Sequence, residues 1–182
     1  MTTTRQTFSA GTVVAGGMLA MNLAIYVFTV VAARVAVPAE LGALVALLNV
    51  LLLGNVVALG LQAATARRIA VDPARADAVV AGVLRVAAVA SVLVGSLVAV
   101  STLALTPLLR LDSPWPVVLA GATLVPLTLM GAQAGIAQGS ERWATLTSIY
   151  VANGVGRLGG GVAALLVDPS ATAAMVGIAA GS

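Results

Sequence analysis

Long apolar runs dominate the chain, interrupted at intervals by short clusters of Arg, Asp, Glu and Pro. A helix crossing a hydrocarbon core of about 30 Å needs about 20 apolar residues at about 1.5 Å each. Five runs meet that length, at about 8–33, 40–66, 74–106, 115–138 and 143–167, and a sixth occupies 169–182. Start signals agree with this division. Asp72-Pro73 and Asp168-Pro169 each offer an acceptor side chain at the N-cap and a proline at the first helical position. Pro38, Ser113-Pro114 and Ser140 mark the other starts. The third run would be roughly 50 Å long as one helix, so 74–85, with Arg75, Asp77 and Arg85, is expected to project as an interfacial extension before a buried span at 86–106.

The first apolar run is longer than the roughly 7–15-residue core of a cleavable signal peptide, so it reads as an uncleaved helix. The sixth is too short to span, which leads us to expect the N-terminal part of a longer protein. The pattern predicts an all-α polytopic integral membrane protein with five complete spans and the start of a sixth.

Composition sharpens that picture. Of the 182 residues, 60% are hydrophobic and 8% charged, against roughly 25% charged in a soluble domain. Without Cys or His the chain has no disulfide, thiolate or imidazole chemistry. Its six carboxylates, Glu40, Asp72, Asp77, Asp112, Glu141 and Asp168, all fall at helix ends or in connections. No acid–base pair or metal site is expected inside the spans, and neither is an enzyme, a metal or a cofactor. All nine basic residues are Arg, dispersed between apolar runs, so no nucleic-acid-tracking stripe is available. Outside the spans, Arg5, Arg67, Arg68, Arg75 and Arg142 lie on one side and Arg34 and Arg110 on the other. That imbalance places the N-terminus in the cytoplasm, in the cell membrane.

Arg157 is the exception among the charges. It lies ten residues before the end of the fifth run, about 15 Å deep by helical rise. An Arg there costs about 2.5–3.5 kcal/mol on insertion, while the run's Leu, Ile and Val together return roughly 3–5 kcal/mol. The terms nearly cancel, so the helix needs neighbours or a water-filled cavity to hold the guanidinium. It has three readings: bonding neighbouring carbonyls as glue, lining a cavity as an anion site, or snorkelling outward. Asn153 and Tyr150 share its face at i−4 and i−7. The first run carries Asn22, Tyr26 and Thr29 along one face, and the second carries Asn55 and Gln62 seven apart. The cavity candidates are therefore Arg157, Asn153, Tyr150, Asn22, Tyr26 and Gln62.

Gly131, Gly135 and Gly139 recur every four residues in the fourth run, and Gly156 and Gly160 repeat the spacing in the fifth. Such stripes let helix backbones approach closely, and here they suggest packing of the fourth run on the fifth. Pro126 removes a backbone bond within the fourth run and is a kink candidate.

Several of these residues occur in an order that resembles the N-terminal lobe of polysaccharide-type flippases of the MATE-like (multidrug/oligosaccharidyl-lipid/polysaccharide) superfamily. They are Asn22 and Tyr26, Ala33-Arg34 followed by Pro38-Ala39-Glu40-Leu41-Gly42, Leu61-Gln62 before Ala66-Arg67-Arg68, and Gln138-Gly139-Ser140-Glu141-Arg142-Trp143. The resemblance covers nearly the whole chain. It implies a two-lobed protein whose C-terminal lobe is missing here. It further implies alternating-access export of a polyprenyl-diphosphate-linked oligosaccharide across the bilayer. A buried Arg without a buried carboxylate suits an anionic diphosphate. The alternatives are a multidrug or cation antiporter of the same superfamily, expected to use acidic residues, and a non-transporting membrane scaffold subunit.

Overall fold

The computed structural model describes the backbone of residues 2–182 and the side chains of residues 11–182; the side chain of Arg5, used above for orientation, lies outside them. Among the described residues there are seven α-helices, one 3₁₀ turn and no strand. The helices are α1 (Thr2–Val35), α2 (Pro38–Val71), α3 (Ala76–Val100), α4 (Thr102–Leu108), α5 (Trp115–Gly139), α6 (Trp143–Val167) and α7 (Ala171–Ala180), with the 3₁₀ turn at Pro73–Arg75. Five of them are long and apolar enough to cross a membrane. The coarse reading, an all-α multi-pass membrane protein, agrees with this architecture.

The third apolar run is not one helix. It breaks at Ser101 (φ −67°, ψ −1°) into α3 and the seven-residue α4. Local chemistry explains the break: Ser101 Oγ donates to the Val98 carbonyl and Thr102 Oγ1 to that of Ala99, while Pro107 in α4 has no N–H. Two start signals also act differently from expectation. Ser140 closes α5, and α6 begins after Arg142. Asp168 follows α6, while Ser170 caps α7 by accepting from the Ala173 N–H at 3.1 Å and donating to Asp168 at 2.8 Å.

Packing is organised around α5, more than half of whose span is buried. It packs on α2 along one side and α3 along another, and α7 wedges against both α5 and α6. The glycine stripes supply the close approaches, with partners other than those expected. A Cβ at Gly135 would lie 2.6 Å from the Gln62 carbonyl oxygen and 2.9 Å from the Gln62 Cα, and Gly131 and Gly139 meet the α2 backbone at Ala58 and Ala66 in the same way. On α6, Gly156 and Gly160 face the backbone of Gly181 and Gly177, at and just beyond the end of α7. The stripes thus join α5 to α2 and α6 to α7. Direct contact between α5 and α6 is slight.

The second major pairing is α1 with α6, where Gly154 meets the Met21 backbone and Gly161 receives the ring of Phe28. Although only Ala36 and Val37 separate them, α1 and α2 scarcely touch. The bundle is therefore two tight pairs, α1/α6 and α2/α5. At one end they are joined by a core in which Phe28, Leu44, Leu47, Leu124, Leu165 and Met175 meet. At that same end Glu40 Oε2 accepts from the Ala171 N–H at 2.6 Å, so a carboxylate of α2 caps the first turn of α7.

Gly135→Ala should destabilise the bundle by about 1–3 kcal/mol, because the obstructing atoms, two of the Gln62 backbone and the Cβ of Thr65, cannot rotate away. Gly60→Ala, with nothing within 4 Å of the added Cβ, should be neutral or stabilising by up to about 1 kcal/mol. Thermal unfolding in one detergent compares them, and equal losses would refute the proposed role of the α2/α5 approach. Glu40→Ala should cost about 1 kcal/mol and speed amide exchange in the first turn of α7, leaving exchange in α5 unchanged.

Candidate functional site

Between the two helix pairs lies a cavity of about 480 Å³. From α1 it receives Met18, Met21, Asn22, Ile25 and Thr29, all on one helical face. The α2 wall includes Asn49, Asn55 and Gln62, the floor is formed by Leu127, Met130 and Gly131 of α5, and α6 contributes Tyr150, Asn153 and Arg157. Its walls are mostly apolar, none of its lining residues is acidic, and Arg157 is its one cation.

Five of the six sequence candidates therefore border one space: Asn22, Gln62, Tyr150, Asn153 and Arg157. Tyr26 does not; it is 66% exposed on the outer surface of α1. Helical geometry accounts for this. Counted at about 100° per residue from Asn22, the other α1 lining residues fall at about −20° to −100°, whereas Tyr26 falls about 40° to the opposite side. A shared i, i+4 stripe is broader than the face that the cavity uses.

The polar groups differ in what they leave free. Asn22 Nδ2 donates to the Met18 carbonyl at 2.9 Å and Asn49 Nδ2 to that of Val45 at 3.0 Å. Each amide then keeps its carbonyl oxygen as a free acceptor. Thr29 Oγ1 donates back to Ile25. Gln62 spends both donors on neighbours, Tyr150 Oη at 2.8 Å and Gln138 Oε1 at 3.0 Å. This cluster ties α2 and α5 to α6 at the end of the cavity opposite Glu40. Asn153 is buried and borders two spaces, since it also lines a second cavity of about 440 Å³ with Gln133 of α5. The Arg157 guanidinium, half-buried, has no hydrogen-bond or salt-bridge partner among the described residues. The structure therefore does not use it as interhelical glue; α6 presents it to the cavity with its donors free.

Asn49 and Gln138 were not singled out as cavity or cluster residues in the sequence. Asn49 stands six positions before Asn55, about 120° around an ideal helix from the Asn55–Gln62 line. It reaches the cavity only because α1 and α2 splay apart and expose a wide face of α2. Gln138 sits in a turn-like motif whose neighbours are charged, and its spacing carries no sign of the contact with Gln62.

No protein-family model, curated protein or solved structure matches the chain. The functional reading therefore rests on the chemistry of the site.

The protein lacks cysteine, which permits a direct test of whether the cavity holds water. Asn49→Cys should react with a membrane-impermeant charged thiosulfonate reagent at least about tenfold faster than Leu53→Cys, which is exposed on α2 outside the cavity. Equal rates would mean that the cavity is filled by lipid.

Proposed function

We propose that the chain is the substrate-binding lobe of a transporter that moves a lipid-linked oligosaccharide, carried on a polyprenyl diphosphate, across the cell membrane. The observation that carries this reading is the unpaired guanidinium of Arg157 in a membrane-depth cavity free of carboxylates. An unpaired cation in an apolar surround is costly unless an anion or water answers it. Arg meets phosphate oxygens bidentately. The amide oxygens of Asn22 and Asn49 accept hydrogen bonds from hydroxyls, which are the groups a sugar offers. In this reading Arg157 holds the diphosphate, Asn22 and Asn153 line the path of the first sugar, and Gln62 with Tyr150 closes one end. The N-terminus and the Arg67–Arg68 end face the cytoplasm, following the arginine imbalance.

The cavity favours this substrate over the cations of a multidrug antiporter, since its only charge would repel them. A scaffold subunit would depend on surfaces left for partners, whereas the Gly stripes of α5 and α6 are consumed inside the chain.

Binding of a short-chain polyprenyl diphosphate to the chain in phosphatidylcholine nanodiscs tests the proposal. Arg157→Ala should weaken it by about 10- to 100-fold, the size of a charge-assisted hydrogen-bonded contact. Arg157→Lys, which keeps the charge and loses the fork, should fall between. Unchanged affinity in Arg157→Ala, with helicity intact by circular dichroism, would remove Arg157 from the site.

A further inference from the structure

A second basic feature lies outside the cavity and has no part in the function proposed above. Where α2 ends and α3 begins there is an open depression of about 590 Å³. Arg67, Arg68 and Arg75 line it with Asp72, and Val71 and Val79 form an apolar wall. Three guanidiniums face one carboxylate. Among the described residues the only salt bridge is Arg75 Nε to Asp72 Oδ2, at 3.6 Å and well exposed to solvent. A single long contact of that kind is weak. It leaves both terminal nitrogens of Arg75 free, and Arg67 and Arg68 have no acidic partner among the described residues.

The position of the depression along the helix axis narrows what it can bind. With 34 residues, α2 is about 51 Å long, well beyond the roughly 30 Å of hydrocarbon that a span must cross. Its last turns, which carry Arg67 and Arg68, therefore stand at headgroup level. Complementing the helix dipole would account for two cations at a helix C-terminus. It would not account for a third from the next element, nor for the exposed Val71 and half-buried Val79 beside them. Charge at headgroup height next to an apolar wall matches a molecule with a phosphate at one end and acyl chains at the other.

We propose that the depression formed by Arg67, Arg68 and Arg75 binds the phosphate of an anionic phospholipid, whose acyl chains lie along Val71 and Val79. The site selects for net negative charge. A zwitterionic headgroup presents the same phosphate beside its own cation, which the three guanidiniums repel.

The test uses the full chain in nanodiscs containing phosphatidylglycerol and phosphatidylcholine, with retained lipids counted by native mass spectrometry. The chain should retain phosphatidylglycerol over phosphatidylcholine by about 100-fold, about fivefold for each of the three guanidiniums. Replacing both Arg67 and Arg68 by Gln should lower that retention by about 25-fold, or about fivefold per guanidinium. Replacing Arg34 and Arg110 by Gln, at the opposite end, should leave it within about twofold. The site is overturned by equal retention of the two lipids in the unmodified chain, a result that needs no variant to fold. It is also overturned by equal losses in the two double variants, which would mark a general surface-charge effect. Displacement of phosphatidylglycerol by millimolar glycerol phosphate would reassign the depression to soluble phosphates.

Discussion

The approach of the α5 backbone to α2 at Gly131, Gly135 and Gly139 is the constraint on which the other features depend. In lipid, apolar surfaces gain little by turning from acyl chains to one another, so helices hold together where their backbones come close enough for dense van der Waals contact. Once α5 is fixed on α2, its remaining faces receive α3 and α7, and α7 in turn carries α6 through Gly177 and Gly181. Direct contact between α1 and the α2/α5 pair is slight, and its main partner is α6. The cavity is thus the space between two pairs that are each tightly zipped and are joined chiefly at one end.

That arrangement also accounts for how α6 can carry Arg157. A lone helix with this charge would insert with almost no margin, because its apolar residues return about as much free energy as the guanidinium costs. Here the charge faces a space bordered by the amides of Asn22, Asn49, Asn55, Gln62 and Asn153 instead of acyl chains. An adjoining face of α6, about 60–100° around the helix from Arg157, packs glycine to glycine on α7. The stripe that permits close packing and the residue that needs a cavity thus share one helix, with Gly156 next to Arg157 in the chain and Gly160 three residues on.

The long helices could be read from the sequence because span length is set by the bilayer, and apolar runs register that constraint directly. The break at Ser101 could not, since it depends on two hydroxyls turning back onto their own helix, a choice that hydropathy does not record. The glycine stripes announced close contact but not the partner: Gly135 carries no mark that distinguishes Gln62 of α2 from a neighbour on α6. Helical faces were legible to within about 40°, enough to group Asn22 with Thr29 and too coarse to exclude Tyr26. The gathering of Asn22, Gln62, Asn153 and Arg157 is a property of how far the two pairs splay, and no single helix encodes it.

The two ends of the cavity are closed by unequal means. Toward Glu40 the pairs share a large apolar core, and the carboxylate of α2 holds the start of α7, so separation there would expose Leu44, Leu47 and Met175 together. Toward Gln62 the closure between the pairs consists of one side-chain hydrogen bond, Gln62 to Tyr150, and the small cluster of Ala134, Ala137, Leu146 and Tyr150. Side-chain hydrogen bonds between membrane helices average only about 0.6 kcal/mol. Breaking this one leaves no orphaned group, because Gln62 is only partly enclosed and keeps its bond to Gln138, and Tyr150 already borders the cavity. Any relative motion of the α1/α6 and α2/α5 pairs is therefore least costly as a swing that parts Tyr150 from Gln62 while the Glu40 end stays closed.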